Sequence, residues 1–356
     1  MIGRIIAAVS CAALCSLPSQ TRAAEAATIT DPAIESICDE LQKKGLLNGV
    51  VLVADGDTIV HHKAYGIASA EYGLAHTIDS RFMVASVTKA LTACAVLQAV
   101  EQGTLDLKKP ISNYLAELQG TPAGELTAHD LLSHSGGLPA FVKDQAESYL
   151  RERFLTELKS AHLKAEGKGK FAYQNENFML LALLLENLHG MDFAAILQRR
   201  IFEPLAMKDS GVNLGGKVIE RLAAGYVNKD GAVLYPPLNN LSQTFGAGCV
   251  YATTTDLLKF LRAVAKRQIL KPESVDWMRE PKAGPYSYGW FTRQVGGKRL
   301  IAAFGRMPGY SSLMAFNDAG LSFVVLNNIY DCPVTPLLQR LVAARTPNPQ
   351  TPAAKP

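Results

Sequence analysis

The chain has 356 residues, of which 48% are hydrophobic and 19% charged. That balance excludes a disordered chain, and six cysteines in this length are too sparse for a disulfide-stapled scaffold. A net charge of +4, with no basic run interleaved with aromatics, gives no case for nucleic acid as a partner.

The chain opens on Arg4, an apolar stretch from Ile5 to Leu17, and small residues that end in Ala24-Glu25-Ala26. This order predicts an export signal over residues 1–26, too short to be a membrane span. The product is then periplasmic or secreted, with no stable membrane span once the signal is cut. Cys11 and Cys15 leave with the signal, while Cys38, Cys94, Cys249 and Cys332 remain. None of these stands in a C-x-x-C pair, so a zinc or redox site is unsupported and buried free thiols are expected.

Asp31-Pro32 predicts a capped helix running to about Lys44. Two strands follow, Gly49–Ala54 and Thr58–Gly66, joined by the tight turn Asp55-Gly56-Asp57. A long helix is expected from near Ser86 to Gly103. The centre reads as mostly helical, and its nearly all-apolar stretch from Phe178 to Leu188 predicts a buried core helix. Thr253 to Arg267 is amphipathic with a threonine cap. Strands return at Tyr286–Val295 and Lys298–Phe304, around the two-residue turn Gly296-Gly297. Ser312–Phe316 and Leu321–Asn327 flank a second turn, and a last helix starts near Pro333. Residues 346–356 hold four prolines and read as a disordered tail. Residues 27–345 therefore read as one domain of two lobes. Its class is α/β (α+β): an antiparallel sheet flanked by helices, with an inserted mostly helical lobe.

Several common chemistries have no motif here. There is no G-x-S-x-G, H-E-x-x-H, Walker loop or G-x-G-x-x-G. Ser86-Val87-Thr88-Lys89 is the one S-x-x-K in the chain. Residues i and i+3 share a helix face, with Cβ atoms about 5–6 Å apart, so the Lys89 ammonium can reach the Ser86 hydroxyl. A lysine out of water can act as a base or steady a neighbouring anion. The helix N-terminus adds positive potential and free N–H groups. An ordinary amphipathic helix carries the same pair by chance, so the neighbours decide. Tyr173-Gln174-Asn175 supplies a tyrosine that can take a proton and an amide that can bond both lysine and substrate. Tyr226-Val227-Asn228 fits the same Y-x-N pattern. The first is preferred because its loop feeds the buried helix, and rigid supports suit catalytic groups.

These motifs sit among longer stretches: Phe82 to Lys89, the run Leu131-Leu132-Ser133-His134-Ser135-Gly136-Gly137-Leu138-Pro139, Phe171 to Asn175, and Ile201 to Met207. Gly246-Ala247-Gly248, Thr253 to Leu257 and Pro308 to Ser312 follow. In that order they resemble the serine β-lactamase and penicillin-binding protein family, in the branch of class C β-lactamases, D-Ala-D-Ala carboxypeptidases and esterases. The resemblance covers nearly all of residues 31–345.

The resemblance implies roles residue by residue. Ser86 is the acylated nucleophile, Lys89 activates it, Tyr173 is general base and then acid, and Asn175 positions Lys89 and substrate. The N–H groups of Ser86 and Arg306 form the oxyanion hole. The third motif of the family (Lys, His or Trp, then any residue, then Gly) falls on Ala303, Phe304 and Gly305, so its polar first residue is absent. His134 is expected to be structural. The resemblance further implies a small-molecule or peptide substrate and no metal or cofactor, and leaves the oligomeric state open. An esterase-like hydrolase is the expectation. A β-lactamase or D-Ala-D-Ala carboxypeptidase, and a non-catalytic or penicillin-binding protein that retains the fold, are the alternatives.

Overall fold

The computed structural model describes residues 28–141, 151–164, 168–237 and 240–345. The expected export signal and tail lie outside them. Helix α1, Pro32–Lys43, starts as its sequence demands: Asp31 Oδ1 accepts from the N–H groups of Ala33 and Ile34 at 3.0 and 3.2 Å.

Among the described residues, seven strands form one antiparallel sheet. They are β1 (Gly49–Asp55), β2 (Thr58–Tyr65), β3 (Tyr286–Ser287), β4 (Trp290–Val295), β5 (Lys298–Met307), β6 (Tyr310–Phe316) and β7 (Leu321–Asn327). Their order is β3-β4-β5-β6-β7-β1-β2, so the early hairpin closes onto the late strands, with Val50 opposite Leu326. Both faces of the sheet are covered, which is why β1 and β7 read as unbroken apolar runs. Alternate residues serve alternate faces. Val51 and Val53 pack with Ile34 and Cys38 of α1 and with Leu337 and Leu341 of the last helix, α5 (Val334–Ala344). Val50 and Leu52 face the other core, which is continuous with the helical part of the chain.

That second core contains α2 (Thr88–Glu101), α3 (Asn175–His189) and α4 (Thr254–Ala265). Helix α2 is buried on nearly every side, so its sequence is apolar all round rather than striped. Helix α3 is the expected buried helix, and its first turn begins at Asn175. Among the described residues, no single helix is long and apolar enough to cross a membrane.

Two expectations change in detail. The predicted strand 286–295 is two strands, broken at Gly289, where φ is +85°. A Cβ there would lie 2.8 Å from the Lys89 carbonyl oxygen, so glycine lets this turn press against α2. The mostly helical middle also contributes strands: Gly211–Val212 pairs with Val250–Ala252, which pairs with Phe82–Met83.

Candidate active site

Ser86 lies in a single 3-10 turn, Ala85–Val87, that leads directly into α2. Ala85 is held at φ +47°, a strained conformation for a residue with a side chain. The surroundings impose it. Val84 donates its N–H to the Val250 carbonyl at 2.9 Å, and the Val84 carbonyl accepts from the Ser312 hydroxyl at 2.6 Å. Strand β5 presses on the same turn, because a Cβ on Gly305 would meet the Val84 oxygen at 2.3 Å and Ala85 Cβ at 3.1 Å.

Lys89 is 1% exposed, one helical turn on from Ser86. Its Nζ donates to Ser86 Oγ at 3.1 Å, Asn175 Oδ1 at 2.8 Å and the Ala247 carbonyl at 2.9 Å. Three acceptors match the three hydrogens of an ammonium. The serine, the lysine and the asparagine predicted from their spacing are thus joined at one atom. The Ala247 carbonyl was not anticipated. Backbone acceptors leave no side-chain signature, and the only hint is the flanking Gly246 and Gly248. Gly246 has φ +65°, and a Cβ there would come within 2.4 Å of Ala182 on α3. Glycine therefore lets this segment thread between α2 and α3.

Tyr173 lies over the same ammonium, with Lys89 Nζ 4.8 Å from its ring centroid. It is 37% exposed, and among the described residues its hydroxyl makes no hydrogen bond, so it is open to a substrate. The competing Tyr226 is elsewhere: its hydroxyl donates to Glu71 Oε2 at 2.5 Å. Asn228 lies on the short hairpin Val227–Lys229 and Ala232–Leu234. Of the two Y-x-N tripeptides, only the first meets Lys89.

His134 is packed beneath Tyr173, with ring centroids 4.4 Å apart. Its Nδ1 faces two donors, Asn177 Nδ2 at 2.8 Å and the Gln174 N–H at 3.3 Å. Burial, helped by the Lys89 charge, holds the imidazole well below its ordinary pKa, so it stays neutral. It touches the loop of Tyr173, in keeping with a structural part.

The third-motif positions separate. Ala303 is 2% exposed and belongs to the main core, with Met314 opposite it on β6. Phe304 and Gly305 line a cavity at Ser86, and Arg306 is exposed with its guanidinium 4.9 Å from the Tyr330 ring centroid. Two cavities meet at Ser86 and Tyr173. One of about 340 Å³ is mixed in character, with Gln174, Asn175, Gln243 and Thr244 among the residues of its wall. The other, of about 540 Å³, runs along Phe291, Phe304 and Pro333. Cys38, Cys94, Cys249 and Cys332 are all free and buried. Burial pushes the Cys38 and Cys249 thiols up to about 12, which makes them inert.

Comparison with known proteins follows the same outline. PbpX of Bacillus subtilis (strain 168), which carries a penicillin-binding-protein name, is 26% identical over 294 residues, covering 82% of this chain and 73% of its own. The teichoic acid D-alanine hydrolase of Staphylococcus aureus is 22% identical over 312 residues, covering 85% and 78%. Among solved structures, D-amino acid amidase from Ochrobactrum anthropi SV3 superposes with a TM-score of 0.78 at 23% identity, over 89% of this chain and 99% of that one. The Beta-lactamase family model matches residues 34–340, which include every element that brings Ser86, Lys89, Tyr173 and Asn175 together. The chain belongs to the β-lactamase family and is a serine hydrolase.

Proposed function

We propose that residues 27–345 form one exported hydrolase domain that works through an acyl-enzyme on Ser86, with esters as its preferred substrates. The observation that carries this reading is the threefold bonding of Lys89 Nζ to Ser86, Asn175 and Ala247. All its hydrogens are directed, so Lys89 orients Ser86 Oγ and supplies charge rather than shuttling the proton. That role falls to Tyr173. Ser86 Oγ bonds to the substrate carbonyl carbon while its proton passes to the Tyr173 oxygen. The carbonyl oxygen becomes an oxyanion between the N–H groups of Ser86 and Arg306, which need no side chain. The bond to the leaving group breaks, and Tyr173 returns the proton to the departing atom. Water then attacks the acyl carbon as its proton passes to Tyr173, and Tyr173 hands that proton to Ser86 Oγ as the acyl–Oγ bond breaks, which restores the serine hydroxyl.

Esters are favoured over β-lactams and D-Ala-D-Ala peptides because Ala303 offers no cation at the third motif. Nitrocefin, a D-Ala-D-Ala peptide and short p-nitrophenyl esters, assayed on wild type and Ser86→Ala, test this. Ester turnover that Ser86→Ala abolishes is expected, together with a fluorophosphonate adduct on Ser86 by intact mass. An unchanged rate in that variant sinks the assignment. Efficient nitrocefin hydrolysis would favour a β-lactamase, and labelling without turnover a penicillin-binding role.

A further inference from the structure

The second cavity at Ser86 has a character of its own. Apart from Ser86 and Tyr173 its wall is mainly Phe291, Phe304, Pro333, Val334 and Pro336, together with Thr335 and Arg306. Phe291 and Phe304 meet edge to face, with centroids 6.1 Å apart at 61°. Their placement follows from the strand period. On β5, Ala303 turns into the core, so its neighbour Phe304 turns to the opposite side, where it packs partly against the α1 and α5 layer. The cations nearby are engaged with ring faces. Arg293 lies 5.0 and 5.9 Å from the centroids of Phe291 and Phe304, and Arg306 lies over Tyr330.

We infer that this cavity is the leaving-group subsite and that it selects an aromatic, uncharged alcohol, with Phe304 and Phe291 as the residues that set the preference. The inference rests on the acyl-enzyme reading above. Tyr173 returns the proton to the departing oxygen, so the leaving group lies beside Tyr173. The first cavity, with Asn175 and Gln174 in its wall, suits the acyl part, whose amide or amine can be hydrogen-bonded there. A carboxylate in this mainly apolar cavity would have to draw Arg306 away from the Tyr330 ring, whereas an aryl ring would stack on Phe304.

The test uses three acetate esters of alcohols with similar intrinsic reactivity: benzyl acetate, ethyl acetate and carboxymethyl acetate. Each kcat/KM is divided by that ester's own hydroxide rate. Wild type is expected to prefer the benzyl over the carboxymethyl ester by roughly tenfold to a hundredfold. Phe304→Ala, and separately Phe291→Ala, should cut that preference by about tenfold. Because all three esters leave the same acetyl group on Ser86, the deacylation rate should not depend on the ester in any variant. A carboxymethyl ester that equals or beats the benzyl ester in wild type overturns the proposal, since Arg293 or Arg306 would then be binding carboxylate. So does a Phe304→Ala that lowers all three rates alike. Wild-type ranking alone decides if the variants fail to fold. Absence of any Ser86 adduct, with rates unchanged in Ser86→Ala, would instead overturn the acyl-enzyme reading and this inference with it.

Discussion

Gly305 shows how a single missing Cβ builds the site. In sequence it is marked only as the glycine of the third motif, three residues before the turn-forming Pro308-Gly309. In the fold it lets β5 lie against the turn that carries Ser86, and any side chain would collide with the Val84 oxygen. Gly305→Ala is therefore expected to push the Ser86 turn off the strand. We expect kcat/KM on an activated ester to fall by about a hundredfold, the scale reported for losing an oxyanion donor, and stability to fall by about 1–3 kcal/mol. Ester kinetics and urea unfolding measure the two. The pair Ser86 and Lys89 was legible because both lie within one helical turn, where spacing dictates contact. The Ala247 carbonyl and the inward turn of Ala303 were not, because each depends on how distant segments pack.

At the scale of elements, the site is the meeting of two loops with the N-termini of α2 and α3. His134 joins the loops. It adopts φ +56°, and its carbonyl accepts from the Ala172 N–H at 2.8 Å while its Nδ1 faces the Gln174 N–H and Asn177. The tripeptide that carries Tyr173 and Asn175 is thus hung from the Leu131–Pro139 stretch. His134→Ala is expected to lower kcat/KM by roughly tenfold to a hundredfold through misplaced Tyr173. Asn is the rescuing residue, because it tolerates left-handed backbone and places an acceptor near the Nδ1 position. The pH–rate profile should keep its shape in both variants, since the buried imidazole is already neutral. Loss of a limb near pH 6.5 would show instead that His134 titrates during turnover. Helix starts and tight turns at this scale were readable from Asp31-Pro32 and Gly296-Gly297, which act locally. The paired segments Phe82–Met83, Gly211–Val212 and Val250–Ala252 were not, because two or three residues carry no period.

For the whole molecule, the inference that early and late strands share one sheet followed from the need to bury both hairpins. The register, with Gly49 opposite Asn327, is set only by packing on both faces. Burial within and beside this sheet also traps histidines. His61 and His62 of β2 and His76 are at most 7% exposed, and burial lowers each from 6.5 to about 4. Below pH 6.5 the unfolded chain protonates at these positions while the folded chain does not, so unfolding takes up protons and stability falls as pH falls. The loss runs from about pH 6.5 down to about 4, and each histidine can withdraw on the order of 3 kcal/mol across it. Glu40 and Glu71, held near 2 by their hydrogen-bonding partners, act in the same direction at still lower pH. Three such histidines together rival the whole stability of an ordinary fold, roughly 5–15 kcal/mol. The protein is therefore expected to unfold before pH 4, with its urea midpoint dropping steadily from pH 6.5. His62→Gln, which removes one titrating ring beside Thr254, should flatten that decline by about one third. A midpoint that holds level between pH 6.5 and 4.5 would mean that the histidines of this sheet reach water far more readily than their burial implies.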